Sequence, residues 1–203
     1  MHKQGLSYYV LCFLALGITG YSIFVYGFMP LGSVVHPDMR ANFQAHSSIV
    51  YVHIFASSVA LLCGALQFSI QLRTLHPQVH RWLGRIYLMV GVLSGGLAGR
   101  AMAQTAYGGM VSRLGFSGLA LLWLFSGLRA YLAICRGHVK EHQQWMQRNY
   151  ALTCAAITLR IYLPVSMVGG IAFDIAYPLI AWLCWVPNLI FVEWIIRRQR
   201  NLI

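Results

Sequence analysis

The sequence is short of charge, and shortest of acid. Only 9% of its 203 residues are charged, and 4 Asp plus Glu stand against 15 Lys plus Arg. Soluble domains carry about 25% charged residues, so an ordinary soluble domain is excluded. In a soluble chain such an excess of base would suggest nucleic acid. Beside long apolar runs it points instead to cationic loops facing a bilayer with anionic headgroups, and to no nucleic-acid partner. Cysteine is also scarce. Cys12, Cys63, Cys135, Cys154 and Cys184 form no Cys-x-x-Cys pair, which excludes a disulfide scaffold and the common zinc and thiol-redox motifs. All five fall within or at the ends of apolar runs, where thiols serve as small packing residues. Disorder is excluded by composition, since 59% of residues are hydrophobic and 13% aromatic, far from the signature of unfolded chains.

What is present is a series of long apolar stretches. A bilayer-crossing helix needs about 20 mostly apolar residues, and six segments qualify, at residues 7–28, 48–70, 82–104, 114–134, 149–168 and 175–196. The runs are continuously apolar, unlike the alternating ten-residue strands of a barrel. The expected fold is an all-α integral membrane protein, a single transmembrane domain over 1–203. The first segment is too long for the apolar core of a signal peptide and lacks a small-x-small cleavage site, so it is read as a retained helix.

Basic residues near helix ends set orientation. Lys3, Arg73, Arg81, Arg85, Arg129, Arg136, Lys140, Arg148, Arg197, Arg198 and Arg200 collect on one side, and Arg40, Arg100, Arg113 and Arg160 on the other. This places both termini in the cytoplasm. Trp82, Trp145 and Trp194 then form an interfacial belt on that side. The run Arg197-Arg198-Gln199-Arg200 reads as an anchor on anionic lipid. Gly91, Gly95, Gly96 and Gly99 give the third segment a close-packing face. Pro164, Gly169 and Gly170 are expected to end the fifth segment, and Pro178 and Pro187 to kink the sixth.

Two connections carry similar text: His80-Arg81-Trp82-Leu83-Gly84-Arg85-Ile86-Tyr87, and His142-Gln143-Gln144-Trp145-Met146-Gln147-Arg148-Asn149-Tyr150. Each has His, then Trp and an apolar residue, then x-Arg-x-Tyr, at an offset of 62–63 residues. Gly64 matches Gly127 and Phe68 matches Tyr131 at the same offset. The alternatives are a true repeat and chance reuse of common interfacial residues. A repeat makes two helical hairpins of like orientation, related by a pseudo-two-fold axis along the membrane normal. The second to fifth helices then form a four-helix bundle, with His80 and His142 as symmetry mates.

This text also resembles a family. The stretch His80 to Tyr87, followed by His142, Trp145-Met146, Arg148 and Thr158-Leu159-Arg160, with His53, Gly64 and Gln67-Phe68 before it, is similar to the bacterial membrane-protein family catalogued as domain of unknown function 2306. The resemblance runs from about His53 to Arg160. It implies a multi-pass protein of the bacterial inner membrane and carries no activity with it. The general architecture is also similar to cytochrome b561-like membrane cytochromes, as an analogy of fold.

Ionisable residues inside membrane helices are costly and mark function. Taking about 1.5 Å of rise per residue, His53, Arg100 and Arg160 reach one depth near the outer face, roughly 27–30 Å from the inner ends of their helices. The inner layer holds His76, His80, His138, His142, Arg81, Arg85, Arg148 and Glu193. Imidazole is a common metal and axial haem ligand, so His80 and His142 are read as ligands of a haem b or, alternatively, of a transition metal, or as interfacial residues with no cofactor. Arg81, Arg85 and Arg148 would meet the haem propionates. His53, Arg100 and Arg160 would line a pocket for a quinone or an anion, unless Asp174 staples Arg160. His76 precedes Pro77, which suits the first helical position, so it is expected outside the helix. The run His138-Val139-Lys140-Glu141-His142 matches a zinc-peptidase pattern of five residues and is weak by itself. Three functions follow: electron transfer to or from a quinone or redox partner, a non-enzymatic binder or transporter of an acidic solute, or a metal-handling assembly factor for a membrane enzyme.

Overall fold

The computed structural model describes residues 5–200, the side chain of Arg200 excepted. Lys3 lies outside them. The described residues form helices and no strand. Six helical stretches are long and apolar enough to cross a membrane: Leu6–Phe28, Ser47–Gln67, Pro77–Ala103, Gly109–Cys135, Val139–Val168 and Phe173–Gln199. The chain divides into two compact units, Met1–Ala98 and Gly99–Ile203, and each contains one of the two hairpins.

In the first unit, α1 (Leu6–Phe28) packs against α3 (Ser47–Gln67). A short helix, α2 (Pro37–Ala45), precedes α3, with Pro37 in its first turn. Ser69 caps α4 (Ile70–Leu75), its hydroxyl accepting the Leu72 N–H at 3.2 Å. Pro77 opens α5 (Pro77–Ile86), leaving His76 as the non-helical cap. The helix then widens into a π-helical stretch, Tyr87–Ser94, and resumes as α6 (Gly95–Ala103). Gly91 lets this stretch lie directly on α3. A Cβ there would fall 2.7 Å from the Ala60 Cβ, closer than two carbons can come.

In the second unit, α7 (Gly109–Cys135) pairs through its C-terminal part with α8 (Val139–Thr153). The α7 helix ends in a Schellman turn. Gly137 takes φ 75°, and the His138 N–H reaches the Ala133 carbonyl at 3.0 Å, as this left-handed cap requires. The chain continues through a break at Cys154 into α9 (Ala155–Val168), then α10 (Phe173–Leu183) and α11 (Val186–Arg200). Pro164 stands inside α9 and does not end it. Proline removes one hydrogen bond, a cost that membrane helices tolerate, and the stop is made by Gly169 and Gly170 (φ 73°). The sixth span is interrupted at Cys184–Trp185, ahead of Pro187. The two interruptions are stitched together: the Thr158 hydroxyl lies 2.9 Å from the Cys154 carbonyl and 2.6 Å from that of Cys184, and the Asn188 amide donates to Thr158 Oγ1 at 3.0 Å.

The two hairpins share a register. Ala60 meets Gly91 in the first, and in the second the Trp123 indole N–H donates to Thr153 Oγ1 at 2.9 Å. In the first hairpin the Gln67 amide donates to the His80 carbonyl at 3.1 Å. In the second, His142 and the Ala130 carbonyl are joined at 2.8 Å. Both sets of partners stand at the offset of 62–63 residues seen in the sequence. Gly91 stands nine positions after Trp82, and Thr153 eight positions after Trp145. A π-helical turn absorbs one inserted residue, which is that difference.

Candidate functional site

His53, on α3, is half-buried, and its Nδ1 lies 2.8 Å from the Gly95 carbonyl oxygen of the neighbouring helix. A carbonyl only accepts, so Nδ1 carries the proton in this bond. His142, near the start of α8, is tied to α7 in the same way through the Ala130 carbonyl. Metal-ligating histidines are typically fixed by this kind of bond from the other ring nitrogen. His80 is half-buried on α5, and its backbone carbonyl accepts from Gln67. It belongs to the first unit and His142 to the second.

Around Trp82 the first unit has an open cleft of about 230 Å³ lined by Gln78, Arg81, Trp82 and Arg85. The Arg85 guanidinium lies over the Trp82 ring, 5.2 Å from its centre. Residues 78, 81, 82 and 85 form one stripe of the helix, because positions three, four and seven apart share a face. At about 100° per residue, His80 is on the opposite side of that helix.

The second unit repeats the pair with its charges satisfied. Arg148 lies over the Trp145 ring at 4.7 Å, and Arg129 over it at 5.1 Å. Glu141, four residues before Trp145, accepts from Arg129 at 3.0 Å and from the Trp145 indole at 3.2 Å. His138 lies 3.5 Å from the same carboxylate. Arg148 grips Glu193 along one edge of its guanidinium, through Nε to Oε1 and through Nη2 to Oε2, the latter at 3.1 Å. The Arg148 side chain is only 15% exposed. So the guanidinium that the sequence offers to a propionate already holds a carboxylate.

Just beyond, Asn149 is wholly buried. Its amide donates to the Trp123 carbonyl at 2.6 Å and to Ser126 Oγ at 2.8 Å. In sequence Asn149 is merely the first residue of an apolar run, and nothing there marks it as the centre of a polar network.

Arg100 and Arg160 are both in the second unit and both half-buried. Arg160 Nη1 donates to the Ala156 carbonyl of its own helix at 3.0 Å. The Arg100 carbonyl accepts from the Gln104 amide at 3.3 Å. Among the described residues, no group of three or more His, Cys, Asp or Glu side chains is placed to hold a metal ion. The zinc-peptidase reading of His138 to His142 therefore finds no third ligand, and its glutamate is bound to Arg129.

A family model described as "Predicted membrane protein (DUF2306)" matches residues 50–196. The chain belongs to the DUF2306 family. The DUF2306 match begins within α3, so it takes in both hairpins and leaves α1 outside. No curated protein and no solved structure matches the chain. With six apolar helices of spanning length, this DUF2306 protein is a multi-pass membrane protein.

Proposed function

We propose that this protein binds haem b by imidazole ligation and carries single electrons in the bacterial inner membrane, with both termini cytoplasmic. The observation that supports it is His142. Its Nδ1–H is spent on the Ala130 carbonyl, so its Nε2 lone pair is the one presented to a ligand, and the ring cannot swivel without losing that bond. His80 is the repeat's counterpart of His142 and the other candidate for an imidazole ligand. The haem would supply one-electron chemistry, and the residues supply its position and potential. Arg148 is already engaged by Glu193, and the stripe of Arg81 and Arg85 is centred on the side of its helix away from His80, so this reading gives them no propionate.

Toward the other end of α3, His53 exchanges a proton. A quinol that gives up electrons also releases protons, and His53 is the candidate to receive one. Arg100 and Arg160 are assigned to an anion or a quinone oxygen. The test is the absorption spectrum of the purified protein, oxidised and then reduced, after expression with haem supplied. A Soret band that is present in the wild type and lost in His142→Ala and His80→Ala is the expected result. A wild type with no Soret band overturns the reading.

A second reading, a carrier for an acidic solute, is favoured by the interrupted helices α8–α9 and α10–α11, since transporters build solute sites at such breaks. It expects a colourless protein in the same spectrum and a solute affinity that Arg160→Ala removes.

A further inference from the structure

The two hairpins solve the same local problem in opposite ways. Both set an arginine over a tryptophan three residues earlier, Arg85 over Trp82 and Arg148 over Trp145. In the second hairpin the position four residues before the tryptophan is Glu141, which neutralises Arg129, and Glu193 neutralises Arg148. In the first hairpin the position four before the tryptophan is Gln78, and Arg81 stands where the second has Gln144. Asp38 is the sole acid of the first unit's sequence, and it lies 3.6 Å from His36 in the short helix ahead of α3. Among the described residues neither Arg81 nor Arg85 forms an ion pair. The same tryptophan-arginine platform is thus closed by carboxylates in one unit and left as an open, doubly cationic cleft in the other.

We infer that the cleft formed by Gln78, Arg81, Trp82 and Arg85 is a binding site for the phosphate headgroup of an anionic phospholipid, which takes the place that the glutamates fill in the second hairpin. The chemistry fits on each count. Guanidinium is the preferred partner of phosphate, with a planar fork of donors, and the Gln78 amide adds a neutral donor. Trp82 is 63% exposed and stands in the first turns of a membrane-spanning helix, where indole rings anchor at the headgroup level. The occupant is a lipid and not a haem propionate, because the stripe faces away from His80.

The experiment is native mass spectrometry of the full-length protein from micelles containing equimolar phosphatidylglycerol and phosphatidylcholine. Wild type is expected to retain phosphatidylglycerol preferentially. The double variant Arg81→Gln/Arg85→Gln is expected to weaken that retention about tenfold or more, given the attraction of each basic side chain to an anionic surface. Gln78→Glu keeps both arginines and supplies the carboxylate that the second hairpin has, so it is expected to reduce retention as well. Arg81→Lys/Arg85→Lys, which keeps the charge, is expected to hold most of it. Equal retention by wild type and the Gln variants overturns the inference. So does displacement of the lipid by 10 mM inorganic phosphate, which would make the ligand a free anion. A loss of bound haem from the Gln variants with lipid retention intact would return the arginines to the propionates and also overturn it. Haem content otherwise reads the earlier proposal separately from this one.

Discussion

Asn149 shows what a single polar side chain does inside an apolar helix pair. An unpaired amide in hydrocarbon is costly, and this one is fully enclosed with its donors directed to Trp123 and Ser126. Thr153, one turn on, accepts from the Trp123 indole and lies 3.0 Å from the Asn149 carbonyl. These bonds fix the register of α7 on α8 where apolar contact alone would let the helices slide. Asn149→Leu removes two interhelical bonds, each worth about 0.6 kcal/mol on average in membranes, and is expected to lower stability by about 1 kcal/mol or more, with a lower thermal midpoint in detergent. Arg129→Gln removes an ion pair whose partners are 44% and 38% exposed, and such pairs are worth below about 1 kcal/mol. The asparagine variant should therefore melt lower of the two. The reverse order would show that the surface pair holds the hairpin. None of this ranking is visible in the sequence, where Arg129 and Glu141 are conspicuous and Asn149 is not.

At the scale of elements, hydropathy locates the spans because each is an apolar run long enough to cross a bilayer. It misplaces three starts. The third, fourth and fifth helices begin at Pro77, Gly109 and Val139, not at 82, 114 and 149, because their first turns carry polar and charged residues that lower the hydropathy of the run. Proline and glycine signals divide in the same way. Pro77 marks a helix start as expected, whereas Pro164 is absorbed within α9. The π-helical stretch has no signal in a single pattern; it emerges only when the two hairpins are compared. It makes a sharp prediction. Deleting Met89, which is 59% exposed, puts Gly91 eight positions after Trp82, as in the second hairpin, so the stretch can close to an ordinary α-helix with both contacts kept. Deleting Leu97, which is 57% exposed in α6, turns every later residue of the helix by about 100°. The first variant should remain monodisperse by size exclusion, and the second should aggregate. Equal behaviour would refute the insertion account.

For the whole molecule, the decisive quantity is the distribution of base. A protein with 15 basic and 4 acidic residues must leave most of its cations facing water, lipid or ligand, and the ion pairs described here consume the scarce acid where it neutralises a specific arginine. The proposed orientation, with Arg197, Arg198 and Arg200 on the cytoplasmic side, predicts that a fluorescent protein that matures only in the cytoplasm will glow when fused after Ile203, while an alkaline phosphatase fused there will be inactive. The opposite pattern would invert the topology and with it the side assigned to the open cleft. By itself, the amino-acid sequence determined the class of protein, the six spans and the family, and suggested the repeat, because hydropathy and spacing are properties of linear text. Only the tertiary structure decided which cations are satisfied and which are not. Arg85 and Arg148 occupy matching words of the repeat, and what separates them is a glutamate 45 residues away along the chain that folding brings to one and not to the other.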